Sequence, residues 1–468
     1  MPKMTSLHKL MRSGSLAVLG MTHGACGNAD DEAERDSSGS ASSADATGTA
    51  QATTADATGP ISTSGASDSA DTTTSATTVD TTDTDTDTTG GEVLECGARP
   101  LEGYGSLSTF GAGGETCVVS NLDDAGPGSL RDCVGARDTT NDSPTPRLIT
   151  FDVGGTITLL TDLAVRQPYL TVDGFSAPSP GITLAKQGGG EDGGLVVNTW
   201  PGQQTCGHDV LVQGLRLEGV WTEDTEEHSQ AAGTLGIDGE DRPLCLRNVV
   251  FHGLTVIRAQ DGGGDIWGSA QDVTVQYSAF LKSLHPNTFS HAPGGEPDQQ
   301  RERISVHHNL YAYTHERGPQ IRGDIRDANF EQNIMHEWAA YGFGGGYGTR
   351  FRCRDGACPT RINVIDNHWT AAGAMLTEAL VMGEASGPAD DDPIAPAVFS
   401  SGNRVPRQNV DDGSAASEFE RSPEAQVTVY PDDQLVADVL PCVGAPYRTR
   451  EEDVVFTEVA AQLGRELN

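Results

Sequence analysis

Two arginines five residues apart, Arg317 and Arg322, sit in the stretch "HERGPQIRG" of a 468-residue chain whose formal charge is −37. Upstream, the glycine-rich "DGGGD" carries Asp261 and Asp265. Paired carboxylates can hold a hard cation through oxygen ligands, and a guanidinium can fork a carboxylate with two parallel hydrogen bonds. Together these residue types suit a polymer that bears carboxylates of its own. So acidic a chain repels a polyanion at long range, and such a partner needs a local cationic patch or a bound metal. Two plainer readings stand beside this one. "DGGGD" can be a turn held by Asx-type hydrogen bonds, and the arginines can be surface ion pairs with Asp324 and Asp327.

A repeating frame must position these residues. It has a strand start, an apolar residue two later, a slot at +5 and another buried-type residue at +7. It fits Leu170-Val172-Phe175-Ala177, Val210-Val212-Leu215-Leu217, Val249-Phe251-Leu254-Val256, Val273-Val275-Ser278-Phe280, Ile304-Val306-Asn309-Tyr311, Ala328-Phe330-Asn333-Met335 and Ile362-Val364-Asn367-Trp369. Starts are 40, 39, 24, 31, 24 and 34 residues apart, so the shortest period is 24 and longer ones carry inserted loops. The fold class expected is all-β: a single-stranded right-handed parallel β-helix with inserted loops, with Asn309, Asn333 and Asn367 stacked as a ladder along one turn. A β-sandwich with coincident alternation is the rival architecture. Counted back from the next frame start, Asp261 and Asp265 stand at −12 and −8, and Arg317 and Arg322 at −11 and −6. Both pairs are therefore expected on one face, two coils apart, roughly 10 Å at ~4.8 Å per coil.

Three domains are expected. Residues 1–26 read as a signal segment, with Lys3, Lys9 and Arg12, a short apolar run and then "HGAC", which resembles a lipoprotein signal with Cys26 as the acylated residue. An ordinary secretory signal is the alternative. Residues 27–95 hold 15 acidic residues, one basic residue and no aromatics, so they cannot bury enough apolar surface to offset their ordering entropy and are expected to be a disordered tether. Residues 96–468 form the β-helix domain, with 52 acidic against 26 basic residues, which excludes nucleic acid as a partner. Besides Cys26 there are eight cysteines, an even set that suits disulfides; Cys353 and Cys358 close a small loop that can bridge. No run reaches the ~20 apolar residues of a membrane span, so a bilayer is expected to be touched only through an N-terminal lipid anchor.

Four segments, in order, carry a resemblance: "GYGSLSTFGAGGETCVVSNLDDAGPGSLRDCV", "RLITFDVGGTITL", "DGGGDIWGSAQDVTVQYSAF" and "ISVHHNLYAYTHERGPQIRG". From about Gly103 onward the chain resembles the pectate lyase family, polysaccharide lyases of family 1. The resemblance implies Arg317 as the catalytic base, Arg322 as a substrate-carboxylate binder, Asp261 and Asp265 as calcium positions, and Ca2+ as the cofactor. It implies β-elimination on an acidic plant-type polysaccharide, polygalacturonate; with the N-terminal signal reading, the protein is expected to be a monomer that is secreted or lipid-anchored on the outer surface of a bacterium. At two positions the chain departs from the family. His285 stands where many members have a lysine, with Lys282 three residues away, and both are expected to bind substrate; His252 replaces a further aspartate. His291, His307 and His308 are grouped with His285, and His307 and His308 are expected to be structural. The alternatives are a lyase on another uronate polymer or methylated pectin, and a non-catalytic β-helix that binds polysaccharide.

Because residues 27–95 are expected to contribute no buried area, deleting them should leave the melting temperature of the domain within about a degree. A fall of many degrees in a calorimetric scan would show that the segment packs on the β-helix.

Overall fold

The computed structural model describes residues 99–467, except 136–144, 188–193, 199–206, 221–234, 239–245, 261, 268–269, 291–302, 323–324, 339–346, 353–359, 372–379, 383–395, 406–407, 410–416 and 421–422. The described strands form a first and a second sheet of ten strands each and a third of eight; Glu115–Val119 pairs with the next strand, Arg147–Phe151, and from there to Arg404–Val405 the neighbour of a strand in its sheet lies three strands along the chain. One coil is thus three short strands joined by turns, with successive coils stacked in parallel. This is a parallel β-helix. The pairing of Arg404–Val405 with Gln408–Asn409 is antiparallel.

The frame of the sequence is the register of the first sheet. Leu170, Val210, Val249, Val273, Ile304, Ala328 and Ile362 stand opposite one another on consecutive strands, and Val398 extends the row. Val172, Phe251, Val306, Phe330, Tyr311 and Trp369, at +2 and +7, are all at most 1% exposed and fill the bore of the helix. Alternation drives this arrangement, because a strand two residues out of phase with its neighbour below keeps the same side chains inward while a one-residue slip would expose them all. The slot of the first coil departs from expectation: Phe175 is 42% exposed.

The stacked slot at +5 is longer than the three asparagines expected. It runs Ser278, Asn309, Asn333, Asn367 and Asn403, all wholly buried. Each asparagine Oδ1 accepts the backbone N–H of the slot residue in the preceding coil at 2.9–3.1 Å: Asn309 from Ser278, Asn333 from Asn309, Asn367 from Asn333 and Asn403 from Asn367. Each Nδ2 donates to a carbonyl one coil back, Asn309 to Val275 and Asn333 to Val306. The preceding residue is left-handed in every coil here, with φ between 48° and 55° at Tyr277, His308, Gln332 and Asp366. That conformation costs an L-residue roughly 1–2 kcal/mol, and the amide bonds of the slot hold the turn in it.

Two chain segments cover the outside. The helix Arg450–Glu466 opens on a capping box of Thr449 and Glu452 and lays Val455, Phe456, Val459 and Leu463 over Ile257, Ala279, Leu281, Leu310 and Ile334 of the second sheet. Arg216 grips Glu452 through Nε at 2.7 Å and Nη2 at 2.6 Å. The N-terminal segment from Arg99 lies over the first sheet, with Tyr104 N–H on Ser305 and Gly105 N–H on Thr274. Cys117 and Cys133 form a disulfide, and Cys442 is disulfide-bonded to a partner outside the described residues. Cys26, Cys353 and Cys358 also lie outside them. Among the described residues no helix is long and apolar enough to cross a membrane.

Replacing Asn333 by Ala removes the acceptor for Asn309 N–H and the donor for the Val306 carbonyl, both buried. Urea unfolding should show a loss of about 3 kcal/mol or more, and a loss under about 1 kcal/mol would mean that the ladder follows the register rather than fixing it.

Candidate functional site

The third sheet positions the residues singled out for chemistry. Its strands Asp265–Trp267, Thr288–Ser290, Gln320–Arg322 and Thr349–Arg352 are consecutive neighbours. Asp265 and Arg322 therefore lie two rungs apart on one sheet, as expected. They do not share a row. Arg322 is in line with Asp238, Trp267, Ser290 and Arg352, while Gln320 is in line with Thr288 and Arg350. Asp265 opens its strand opposite Gly236 and accepts Thr288 N–H on Oδ1 at 2.7 Å, which fixes its carboxylate at the rung boundary. Asp261 and the side chain of Arg322 lie outside the described residues.

The glycines of "DGGGD" have physical reasons. Gly262 is left-handed, at φ 69°. A Cβ on Gly263 would stand 2.6 Å from the Pro286 carbonyl oxygen, and one on Gly264 would stand 2.7 Å from Phe280 and 2.8 Å from Asn287 Nδ2. The turn must approach the next coil that closely to bring Asp265 against Thr288. Asn287, which nothing in the sequence singled out, organises three coils: its Nδ2 donates to the Gly264 carbonyl, its Oδ1 accepts the Tyr311 hydroxyl at 3.0 Å, and its backbone binds the Arg317 carbonyl and Gln320 N–H.

Arg317 lies in the turn between the second-sheet strand Leu310–Ala312 and the third-sheet strand Gln320–Arg322. The register changes across this turn. Leu281 pairs with Ala312, 31 residues on, but Thr288 pairs with Gln320, 32 residues on, so the turn carrying Arg317 has one residue more than the turn of His285. Arg317 takes a left-handed φ of 58° there. The coil above holds the turn through Gly318 N–H on the Gly348 carbonyl and Thr349 Oγ1 on the Gly318 carbonyl.

Glu316, unremarked in the sequence, links the two candidate cations. Its Oε1 is 2.8 Å from His285 Nε2 and 3.6 Å from Arg317 Nε. Burial pushes its carboxyl up, but His285, Arg317 and His315 outweigh that and hold it down at about 2. Arg317 pairs with Glu316, and Asp327 binds Arg361, with Nε at 2.7 Å, while Asp324 and the side chain of Arg322 lie outside the described residues.

Three expectations are corrected. Lys282 does not face the third sheet: its ammonium binds Glu451 at 2.8 Å, in a cluster with Arg258, because it ends a second-sheet strand that the C-terminal helix covers. His252 is not beside the aspartates. It is buried on the first sheet against Gln276 and Tyr277, and burial holds it down at about 4. His307 and His308 likewise belong to the first sheet and its following turn, not to the surroundings of His285. His291 is outside the described residues.

As a cation site, the position of Asp265 presents carboxylate oxygen, while Asp261 lies outside the described residues. An all-oxygen, anionic set suits a hard ion of the calcium type.

No family model matches the chain. A protein of Aspergillus fumigatus named "Probable pectate lyase C" is 29% identical over 285 residues, 61% of this chain and 56% of that relative. A relative of the same name from Emericella nidulans is 30% identical over 248 residues, covering 53% and 48%. The chain thus spans about half the length of these curated relatives. Among solved structures, the major allergen from cedar pollen superposes with a TM-score of 0.51 at 16% identity, over 74% of this chain and 93% of that one, a likeness of fold.

With its carboxyl held at about 2, below the ordinary value of 4.5, Glu316 stabilises the fold fully above pH ~4.5, and that contribution drains away as pH falls toward 2. Acid unfolding followed by circular dichroism should therefore be shallower across that window in Glu316→Gln, which starts from a lower stability at pH 7. Parallel profiles would place Glu316 outside the ion cluster.

Proposed function

We propose that this chain is a member of the pectate lyase family and cleaves polygalacturonate by β-elimination on the outer face of the third sheet, with calcium as cofactor. The observation that carries the reading is the placement of Asp265, His285, Arg317 and Arg322 on three consecutive rungs, with Arg317 in a turn one residue longer than that of His285.

Arg317 is the base. It takes the C5 proton of the uronate, the electron pair forms the C4–C5 double bond, and the C4–O bond breaks to release the leaving chain. Arg322 forks the carboxylate of the sugar being cleaved. A guanidine accepts a proton only in its neutral form, and the negative charge of Glu316 opposes that form. His285 meets the same Glu316 oxygen as Arg317 does, so it draws off part of that charge. When bound, calcium would be held by Asp261 and Asp265 and would neutralise the substrate carboxylate, making the C5 proton more acidic. Arg350 and Arg352 stand one rung beyond, opposite Gln320 and Arg322, where a longer polyanion continues. With this goes export: Cys26 as lipidation site, residues 27–95 as tether, and a monomeric catalytic domain acting outside the cell.

Incubation with polygalacturonate should raise ultraviolet absorbance as unsaturated uronide forms, and a chelator should abolish the rise. Arg317→Lys should lose most of its turnover with binding nearly kept, since an interaction made only in the transition state is removed. Arg322→Lys keeps the charge but not the fork, so it should mainly raise KM. Equal effects below about twofold at both positions would reduce them to exposed ion pairs and sink the catalytic reading; binding without any absorbance change would make the protein a polysaccharide-binding β-helix.

A further inference from the structure

The outer face of the first sheet carries a buried polar cluster that the reaction does not use. His252, Gln276, His307 and Glu331 form one row across consecutive strands. Two distant chain segments close over it. From the N-terminal side, Glu102 N–H binds Gln276 Oε1 at 2.9 Å. From the C-terminal side, Thr428 binds the Glu102 carboxylate through its N–H at 2.9 Å and its hydroxyl at 2.5 Å. His307 and His308 lie beneath, 1% and 0% exposed.

The hydrogen bonds determine which ring nitrogens carry protons. The Gln332 amide is pinned by Tyr430, donating from Nε2 to the Tyr430 carbonyl and accepting Tyr430 N–H on Oε1. His308 Nε2, 3.0 Å from that same Oε1, must therefore be a donor. Its Nδ1 is then a bare lone pair. His307 Nδ1 stands 2.8 Å from it, so the two facing ring nitrogens hold at most one hydrogen between them, and His307 also meets the Glu102 backbone. An imidazole nitrogen whose lone pair is not taken by a proton is a metal ligand.

One ligand atom each from Glu102, His307 and His308 lies within 4.8 Å of the others. Ligands at about 2.0–2.1 Å from a tetrahedral ion are roughly 3.4 Å from one another, a spacing that small ring rotations reach. We propose that Glu102, His307 and His308 form a structural site for a divalent ion of the zinc class, which ties the N-terminal segment to the β-helix where Thr428 also meets it. Two imidazoles and a carboxylate suit a borderline ion, whereas calcium prefers oxygen ligands alone. The Gln332 oxygen on His308 Nε2–H then acts as the outer partner that orients the ligand. The site is independent of the reaction proposed for the third sheet.

The test uses the full chain, stripped of metal with a chelator and titrated with zinc chloride in the presence of excess calcium. Calorimetry should find one equivalent bound, and the melting temperature should rise by a few degrees once zinc is about a hundredfold above Kd. Glu102→Gln and His307→Asn should each weaken binding at least tenfold and lose that rise. Cobalt(II) added to the unaltered chain should give visible d–d absorption of a low-coordinate nitrogen and oxygen site, a readout that stands even if the variants do not fold. Absence of saturable zinc binding, absence of the cobalt bands, or binding of unchanged strength in both variants would overturn the proposal.

Discussion

Register between coils is the constraint on which everything else in this molecule depends. Each described strand is only two to six residues long and none could stand alone; it is held because its backbone groups pair with the coils on either side and its inward side chains land on those beneath. The asparagine slot makes that pairing specific. A backbone ladder tolerates a two-residue slip, which preserves the alternation of faces, but a slip would carry Asn333 away from Asn309 N–H and the Val306 carbonyl and leave buried donors and acceptors unmade.

Given a fixed register, a turn can be altered without disturbing the sheet. The one-residue lengthening before Gln320–Arg322 is absorbed within the turn, since the strands before and after it pair normally. Its effect is confined to where Arg317 stands and which backbone groups it offers. Asn287 receives the consequence: it binds both sides of the lengthened turn, Arg317 O and Gln320 N–H, while its side chain bolts the glycine turn of the coil beneath. The candidate site is thus built from rigid rungs with variation restricted to their corners, which is how a repetitive scaffold acquires one singular place.

The sequence was legible wherever side chains face inward. Period-two alternation and the +5 slot identify residues whose environment is made by copies of the same frame, so seven coils could be placed, and Asn403 was missed only because its coil was not counted. Legibility failed on the outer faces. Lys282 and His252 were placed by the resemblance alone, and the resemblance does not say that the helix Arg450–Glu466 covers the second sheet or that the segment from Arg99 covers the first. Those coverings come from sequence separations of 169 for Lys282 with Glu451 and 174 for Gln276 with Glu102, and no local pattern announces them. Glu316 was overlooked for a related reason: its importance lies in His285, one coil away, and not in its own neighbours.

The role proposed for the arginines is compatible with so acidic a chain because of the difference between two lengths. At physiological ionic strength exposed charges are screened over about 8 Å, whereas successive rungs are only ~4.8 Å apart. An anion lying over the strand Gln320–Arg322 is within one screening length of that rung and the next, where Arg322 is paired with Arg352 and Gln320 with Arg350. The diffuse negative charge of the remaining surface is largely screened at that distance. Asp265 lies two rungs away. On the proposed reading a polyanion that crosses the rungs would meet arginine positions at one end and a carboxylate at the other, an asymmetry that gives the third sheet a direction its repeating backbone alone would lack.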